Sequence, residues 1–364
     1  MPTRGIRPVF RRSRVAPVET TPKQPRATIR DVADLAGVAL SSVSRVLNDH
    51  PAVSETLRQR VLAAVADLDY QADFTATSLR RGSTMTVGFL VRDIASPLFA
   101  DLVKAAEESL GRQGYSLLLM NSGGDPDREA AHIRALGRRR VDGLILSLSS
   151  ETHPGTLAAI RLLRCPIVLV DRAIGDLDAS SVVSDHYTGV RAATIHLASL
   201  NHRRIALING PLEVLAARER LRGYRAGLRS SGLRYDADLV RTGAYAESLA
   251  TAEVAGFLAS ERPPTAFIAG GAMLTYGALR AIREAGLSLP DDVALVGCDG
   301  WRAPDIFQPS LTRVARDHAE MGASAAGLLL EAITDGAVRN LVLPTSLVVG
   351  ATTSMMPDAD GGAV

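Results

Sequence analysis

From about residue 84 onward, short β-prone apolar runs recur roughly every 25–30 residues with helix-like stretches between them. The runs are Val87–Val91, Ser116–Met120, Leu144–Leu146, Ile167–Val170, Ile205–Ile208, Ala266–Ala269 and Val293–Val296. Between them lie Leu102–Leu110, Arg128–Leu136, Ala192–Leu200, Gly223–Leu228 and Leu274–Ala285. Continuous apolar strands alternating with helices need parallel sheets covered on both faces. The runs are too many for one compact sheet, and the pattern restarts near residue 202. This predicts two similar α/β subdomains with a cleft between them, where a ligand would sit beyond the carboxyl ends of the strands.

The texture before residue 84 is different. Ile29, Val32, Ala33 and Ala36 repeat at helical spacing, with Thr28 as N-cap and Gly37 as the left-handed stop. A second short helix turns Val43, Val46 and Leu47 inward and is broken by Asn48, Asp49, His50 and Pro51. A third starts at Ser54 and buries Leu57, Val61, Val65 and Leu68. Three short helices with a tight Gly-containing turn between the first two describe a helix-turn-helix module. A polar linker at 73–82 carries Leu79, then Arg80, Arg81 and Gly82. Residues 1–27 set seven Arg/Lys against one acid, with five prolines, and are expected to be disordered. They serve either as extra phosphate attraction or as a passive tail.

Charge follows the same division. Residues 1–82 hold 13 Lys/Arg and 8 Asp/Glu, a net of +5; the remainder nets −3. A basic head on a slightly acidic body points to a polyanion partner for the head alone, although a solvated terminus gives the same count. No apolar run is long enough to span a bilayer, and no secretory leader is visible, so a cytoplasmic protein without membrane contact is expected. Cys165 and Cys298 lie far apart without a CxxC, and the seven His show no ligand spacing. Neither a disulfide framework nor a metal site is therefore expected. With no GxGxxG after a strand, P-loop, GxSxG or HExxH, neither a cofactor nor catalysis is expected.

The segment Thr28-Ile-Arg-Asp-Val-Ala-Asp-Leu-Ala-Gly-Val-Ala-Leu-Ser-Ser-Val-Ser-Arg-Val-Leu-Asn48 resembles the opening of the lactose-repressor (LacI) family of bacterial transcription regulators. The likeness continues through Val53-Ser54, Arg58, Val61, Tyr70 and Ala76-x-Ser-Leu-Arg80. In the body it runs through Asp93-Ile-Ala-Ser-Pro97, Arg140-Val-Asp-Gly143, Val170-Asp-Arg172, His202-Arg-Arg-Ile205, Arg220-x-x-Gly-Tyr224, Gly277-Ala-Leu-Arg280, Gly297-x-Asp299 and Pro309-x-Leu-Thr312. It covers about residues 28–350 in order. The fold class it implies is a small all-α helix-turn-helix head plus an α/β body of two parallel-sheet subdomains, similar to type I periplasmic binding proteins. It implies a helix-turn-helix domain at 28–72, a hinge helix or linker at 73–84, and an effector-binding and dimerisation domain at 85–356 with a tail at 357–364. The two subdomains are expected at about 85–201 plus 314–340 and 202–313 plus 341–356.

For the head, the resemblance implies that the second helix enters the major groove of a double-stranded DNA operator. Leu40 and Ser41 occupy specificity positions, and Arg45 matches a base-contacting arginine suited to guanine. Ser42, Ser44 and Asn48 match phosphate-holding or turn-fixing residues, Ala52 a further contact position, and Thr28 the first helix's cap and a DNA-side residue. Leu79 matches a leucine that wedges into the minor groove from each of two subunits, or else packs as a small core residue. Paired wedges imply a homodimer on an inverted repeat, and the family's usual mode, repression, is expected, with activation as the alternative; the short tail gives no reason to expect a tetramer. Ala39 stands where the family places Ser at the second helix's N-cap, and Ala72-Asp73 replaces Pro-Asn, which predicts weaker or more selective DNA binding.

For the body, it implies that a small-molecule effector in the cleft shifts the subdomains. Leu98, Arg220, Tyr245 and Asp299 match ligand contacts; Asp171 and Arg172 are either contacts or structural, and Trp301 lies near. The family's Ala-Asn-Asp reads Gly270-Gly271-Ala272, Asp-Asn reads Asp185-His186, the Phe of Gly-Phe-Asp is Cys298, and Val214 and Leu215 are apolar. A cleft that has lost polar partners for apolar surface predicts an effector that is not a typical sugar but smaller, flatter, more apolar or anionic. The alternatives are a solute-binding protein with the same body or an α/β enzyme.

Overall fold

A computed structural model describes residues 27–48, 50–70, 82–299 and 308–355. Its two compact units divide between Arg81 and Gly82.

In the head, α1 (Ile29–Ala36), α2 (Leu40–Leu47) and α3 (Glu55–Asp67) enclose a core of Val32, Ala33, Ala36, Val43, Val46, Val61 and Ala64. Ile29, Leu47, Leu57, Val65 and Leu68 pack on it, as the helical spacing predicts. Thr28 caps α1 through a reciprocal box with Asp31. Gly37 ends α1 at φ 61°, a conformation that favours glycine. Arg60 of α3 then donates to the Ala36 carbonyl at 2.6 Å, tying the third helix to that turn.

The body holds two six-stranded sheets. The first is ordered β11-β5-β4-β3-β1-β2, from β1 (Thr86–Val91), β2 (Ser116–Asn121), β3 (Gly143–Leu146), β4 (Ile167–Val170), β5 (Ser180–Ser184) and β11 (Asn340–Leu343), all parallel. The second is ordered β12-β10-β9-β8-β6-β7, from β6 (Ile205–Asn209), β7 (Val240–Thr242), β8 (Ala266–Ala269), β9 (Ala294–Cys298), β10 (Thr312–Ala315) and β12 (Ser346–Val348). Among the described residues, only β12 runs antiparallel to its neighbour. The helices are α4 (Pro97–Gly111), α5 (Pro126–Arg138), α6 (Pro154–Arg161), α7 (His186–Ser199), α8 (Leu215–Ser230), α9 (Glu247–Leu258), α10 (Ala272–Glu284) and α11 (His318–Asp335). Apolar clusters line both faces of each sheet, so every central strand is buried on both sides.

The expected subdomain limits need correction. Helix α7 does not cover the first sheet, as a boundary at 201/202 requires. Its Val190, Ala193 and Leu197 join the core under the second sheet. The reason is its close seat against α8: a Cβ on Gly223 would lie 2.4 Å from the Tyr187 carbonyl oxygen, and one on Gly227 would lie 2.5 Å from Thr194. The first changeover is thus at Asp185, directly after β5. The other two lie between β10 and α11, not at 313/314, and between β11 and β12, not at 340/341. Three connecting strands therefore join the subdomains beside the cleft.

Candidate nucleic-acid interface and ligand cleft

Helix α2 divides its residues cleanly. Val43 and Val46 are buried, while Leu40, Ser41, Arg45 and Asn48 are exposed and Ser42 and Ser44 are half-buried. Asn48 donates through Nδ2 to the Ser44 carbonyl at 2.6 Å, closing the helix. Arg45 has no side-chain partner among the described residues, so its guanidinium fork is free for an external acceptor. Ala39, the N-cap, makes no side-chain cap bond. Thr28 and Ala52 are exposed at the ends of neighbouring segments. Leu79 lies outside the described residues.

In the body, six of the expected residues come together. Leu98, Asp171, Arg172, Arg220, Tyr245 and Asp299 line one cavity of about 40 Å³ between the subdomains. Trp301 lies outside the described residues. Val214 and Leu215 are not in the wall; Ala216 is. The cavity meets a wider mouth flanked by Arg92, Ser149, Tyr245 and Glu247, of about 1060 Å³.

Asp171 and Asp299 hold equivalent places. Each follows the carboxyl end of a central strand, β4 or β9, and each adopts a left-handed backbone, at φ 52° and 75°. Such conformations are uncommon for non-glycine residues and collect at functional sites. Arg316 joins the two. Its Nη1 donates to Asp171 and, at 3.1 Å, to Ser184, while its Nε donates to Asp299. The side chain is only 3% exposed. Burial alone would raise both carboxyls, but Arg316 foremost outweighs it and holds both well below the usual carboxylate range. The carboxylates in turn hold Arg316 firmly charged against burial.

The other partners follow from this bridge. His186 Nε2 stands 3.1 Å from Asp171 Oδ1. Burial, helped by Arg220, lowers its pKa to about 4, so the contact is a hydrogen bond from a neutral imidazole. Arg220 donates to the Tyr245 hydroxyl at 3.0 Å and lies 3.9 Å from Asp299. Its Nε is buried without a partner among the described residues. Arg172 spends its donors on the carbonyls of Leu148 and Asp171. Beside the cavity, Glu151 of the first subdomain accepts from Leu215 N at 2.7 Å and from Arg218 at 2.7 Å. Val214 cannot cap α8, so a carboxylate from the facing subdomain does so instead.

The expectation of an apolar cleft is therefore only half met. Leu98, Phe99, Ala216, Ala272 and Met273 supply apolar wall, yet four arginines face it too. Sequence reasoning missed Arg92, Glu151 and Arg316. All three directly follow or lie shortly after a strand end, β1, β3 and β10, where parallel sheets place ligand groups. That was the available signal. Among the described residues no group of three His, Cys, Asp or Glu is placed to hold a metal ion, and no helix is long and apolar enough to cross a membrane.

A three-helix head with a free outward face, and a two-lobed body closed on a charged cavity, define a DNA-binding regulator with a binding-protein-like sensor. The chain belongs to the lacI family of bacterial regulatory proteins. The family model of that description matches residues 28–73, and one for periplasmic binding proteins and the sugar binding domain of the LacI family matches residues 84–348. The chain is 35% identical over 309 residues to the ribose operon repressor of Escherichia coli (strain K12), covering 85% of this chain and 93% of that one. It is 32% identical to the HTH-type transcriptional repressor PurR of Haemophilus influenzae (strain PittEE), again over 85% of this chain and 91% of the relative. The lac repressor dimer bound to operator and the anti-inducer ONPF superposes with a TM-score of 0.81 at 28% identity, over 91% of this chain and 100% of that chain.

Proposed function

We propose that the protein is a cytoplasmic repressor that binds a pseudo-palindromic operator as a homodimer and is controlled by a small molecule in the cleft. The observation that carries this reading is the outward face of α2, where Leu40, Ser41 and Arg45 are exposed above a fully committed inner face. Exposed side chains of this kind can meet base edges in the major groove, while Thr28, Ser42, Ser44 and Asn48 hold the backbone and Ala52 reaches at most a thymine methyl. Leu79 is assigned the minor-groove wedge, with its counterpart from a second subunit. The operator-bound lac repressor dimer among the similar structures supports the same stoichiometry.

The cleft is read as a sensor and not as a catalytic centre, because both its carboxylates are committed to Arg316 and its buried imidazole is held neutral. Leu98, Asp171, Arg172, Arg220, Tyr245, Asp299 and Trp301 are assigned to effector binding. An effector acts by preferring one arrangement of the subdomains, and here the crossing contacts of Arg316 and Glu151 define one such arrangement.

Sequencing genomic fragments retained by the purified protein tests the reading. A two-fold symmetric half-site motif is expected, and Arg45→Ala should weaken binding by about 1–3 kcal/mol and relax preference at one base pair. No preference over random duplex, or an unchanged sequence preference in the variant, would overturn it.

A further inference from the structure

This inference rests on the reading of the cleft as an effector site, and it concerns what the site takes. We propose that the effector is a small organic carboxylate, its anionic head held by Arg92 and Arg220 and its flat or apolar remainder lying against Leu98, Phe99, Tyr245 and Met273. The cavity is thereby unsuited to a neutral sugar.

The argument is an inventory of free donors and acceptors. A sugar hydroxyl both donates and accepts, so a polyol needs acceptors in the wall. Of the two carboxylates that could accept, three of the four oxygens are taken. Asp171 Oδ1 accepts from Ser184 N at 3.0 Å and from His186, and its Oδ2 from Arg316. Asp299 Oδ1 accepts from Arg316, and its Oδ2 faces Arg220 at 3.9 Å. The carbonyls of Leu148 and Asp171 are taken by Arg172. Donors, in contrast, are left over. Arg220 is 2% exposed and its Nε has no partner among the described residues. The Arg92 side chain makes no hydrogen bond or ion pair among the described residues; its guanidinium lies over the Tyr245 ring at 4.9 Å and the Phe99 ring at 5.9 Å.

Charge points the same way. The wall carries Arg92, Arg172, Arg220 and Arg316 against Asp171 and Asp299. His186 adds nothing because it is neutral. Glu129 stands behind Arg172; its Oε1 accepts from Ser122 and Ser149, its Oε2 is buried without a partner among the described residues, and burial pushes its carboxyl upward. Burial, then the charge of Arg172, lowers Arg92 against the smaller opposing pull of Tyr245, Asp93 and Glu129. An acceptor-only head satisfies these donors without asking for acceptors, and the cavity volume of about 40 Å³ favours a small head group. A planar carboxylate fits a guanidinium fork in two parallel hydrogen bonds.

The test uses the full chain, by thermal unfolding and calorimetry, with propionate, pyruvate and benzoate, each beside its amide, and with D-ribose and inorganic phosphate. At least one acid should raise the unfolding midpoint and bind at least tenfold more tightly than its amide. Arg92→Gln should reduce that affinity at least tenfold while leaving the ligand-free midpoint in place. Tighter binding of D-ribose or phosphate than of every acid, no binding by any acid, or acid binding unchanged in Arg92→Gln would each overturn the proposal. Should Arg92→Gln fail to fold, the acid-against-amide comparison on the parent decides alone. Fragment retention is followed in parallel: kept DNA preference with no acid bound sinks this inference only, whereas acid binding without DNA preference sinks the regulator reading only.

Discussion

The outward face of α2 and the wall of the cleft are both polar, but they hold their charges in opposite ways. Arg45 on α2 is exposed and has no internal partner among the described residues. Arg316 in the cleft is 3% exposed and donates to two carboxylates and a hydroxyl. An exposed free fork contributes almost nothing to folding and is available to whatever approaches. A buried bridge has already lost its water, so the fold depends on it and a ligand must work around it. Recognition in the head is thus separable from stability, whereas in the cleft the two are linked.

The sharpest way to break that comparison is to remove the bridge. Arg316→Met leaves Asp171 buried without its bridging cation and Asp299 with only Arg220, 3.9 Å away. Denaturant unfolding should show the body losing about 3–5 kcal/mol, the range for removing one partner of a buried ion pair. Adding Asp171→Asn and Asp299→Asn should restore much of the loss, because the uncompensated charges go with them. Arg45→Ala, measured in parallel, should leave stability unchanged. A loss below about 1 kcal/mol for Arg316→Met would mean that the bridge is not what neutralises the two carboxylates.

A pH series sharpens the same contrast. His186 is brought down from 6.5 to about 4. Between those values the unfolded chain takes up a proton that the folded chain refuses, so stability falls as the pH drops from about 6.5 to about 4. For a shift of that size the loss is on the order of 3 kcal/mol. Asp171 and Asp299 act in a separate window: their depressed carboxyls contribute fully above about 4 and lose that contribution only as the pH falls further. Burial lowers His196 and His202 too, so the diagnostic quantity is the difference between parent and His186→Asn. The groups around His186 are Asp171, Arg220 and Arg316, all of which keep their charge through the window. An identical slope in the variant would place the titration elsewhere.

Legibility in the sequence follows the same line. Apolar periodicity reports burial, so Val32, Val43 and Val61 in the head, and the strands from Val87–Val91 to Ala266–Ala269, could be read directly. What it does not report is which surface a buried face meets. Helix α7 reads as a helix, but only the close seat of Gly223 on Tyr187 assigns it to the second sheet. Strands β5, β7, β10, β11 and β12 have three to five residues each and several polar positions, which leaves no run to detect. Arg316 and Arg92 were hidden for another reason. In a chain whose cations are nearly all arginine, one more arginine reads as solvated surface until the strand end beneath it is known. Leu98, Asp171, Arg172, Arg220, Tyr245 and Asp299 could be grouped by the family resemblance, and they do share one cavity; the bridge that commits the two carboxylates could not.

The smallest expected effect tests the head's side of the comparison. Helix α2 begins at Ala39, whose backbone is extended at φ −67° and ψ 148°, the geometry in which a cap side chain works. Ser54, at φ −67° and ψ 148°, is the head's own control: there the hydroxyl accepts from Leu57 N at 3.4 Å. Position 39 is exposed, so a hydroxyl added there meets no packing penalty. Ala39→Ser should stabilise the head by about 1 kcal/mol, the usual worth of such a cap. Because the cap sits beside Leu40 and Ser41 but alters neither, operator preference should keep its pattern while overall affinity rises slightly, the helix being better ordered before it docks. Hydrogen exchange of the Ser41 amide would slow if the hydroxyl engages it; the Ser42 amide already donates to the Ala39 carbonyl at 2.8 Å. Unchanged exchange together with unchanged unfolding would show that water already satisfies the Ser41 donor, and that the helix does not need the cap its sequence lacks.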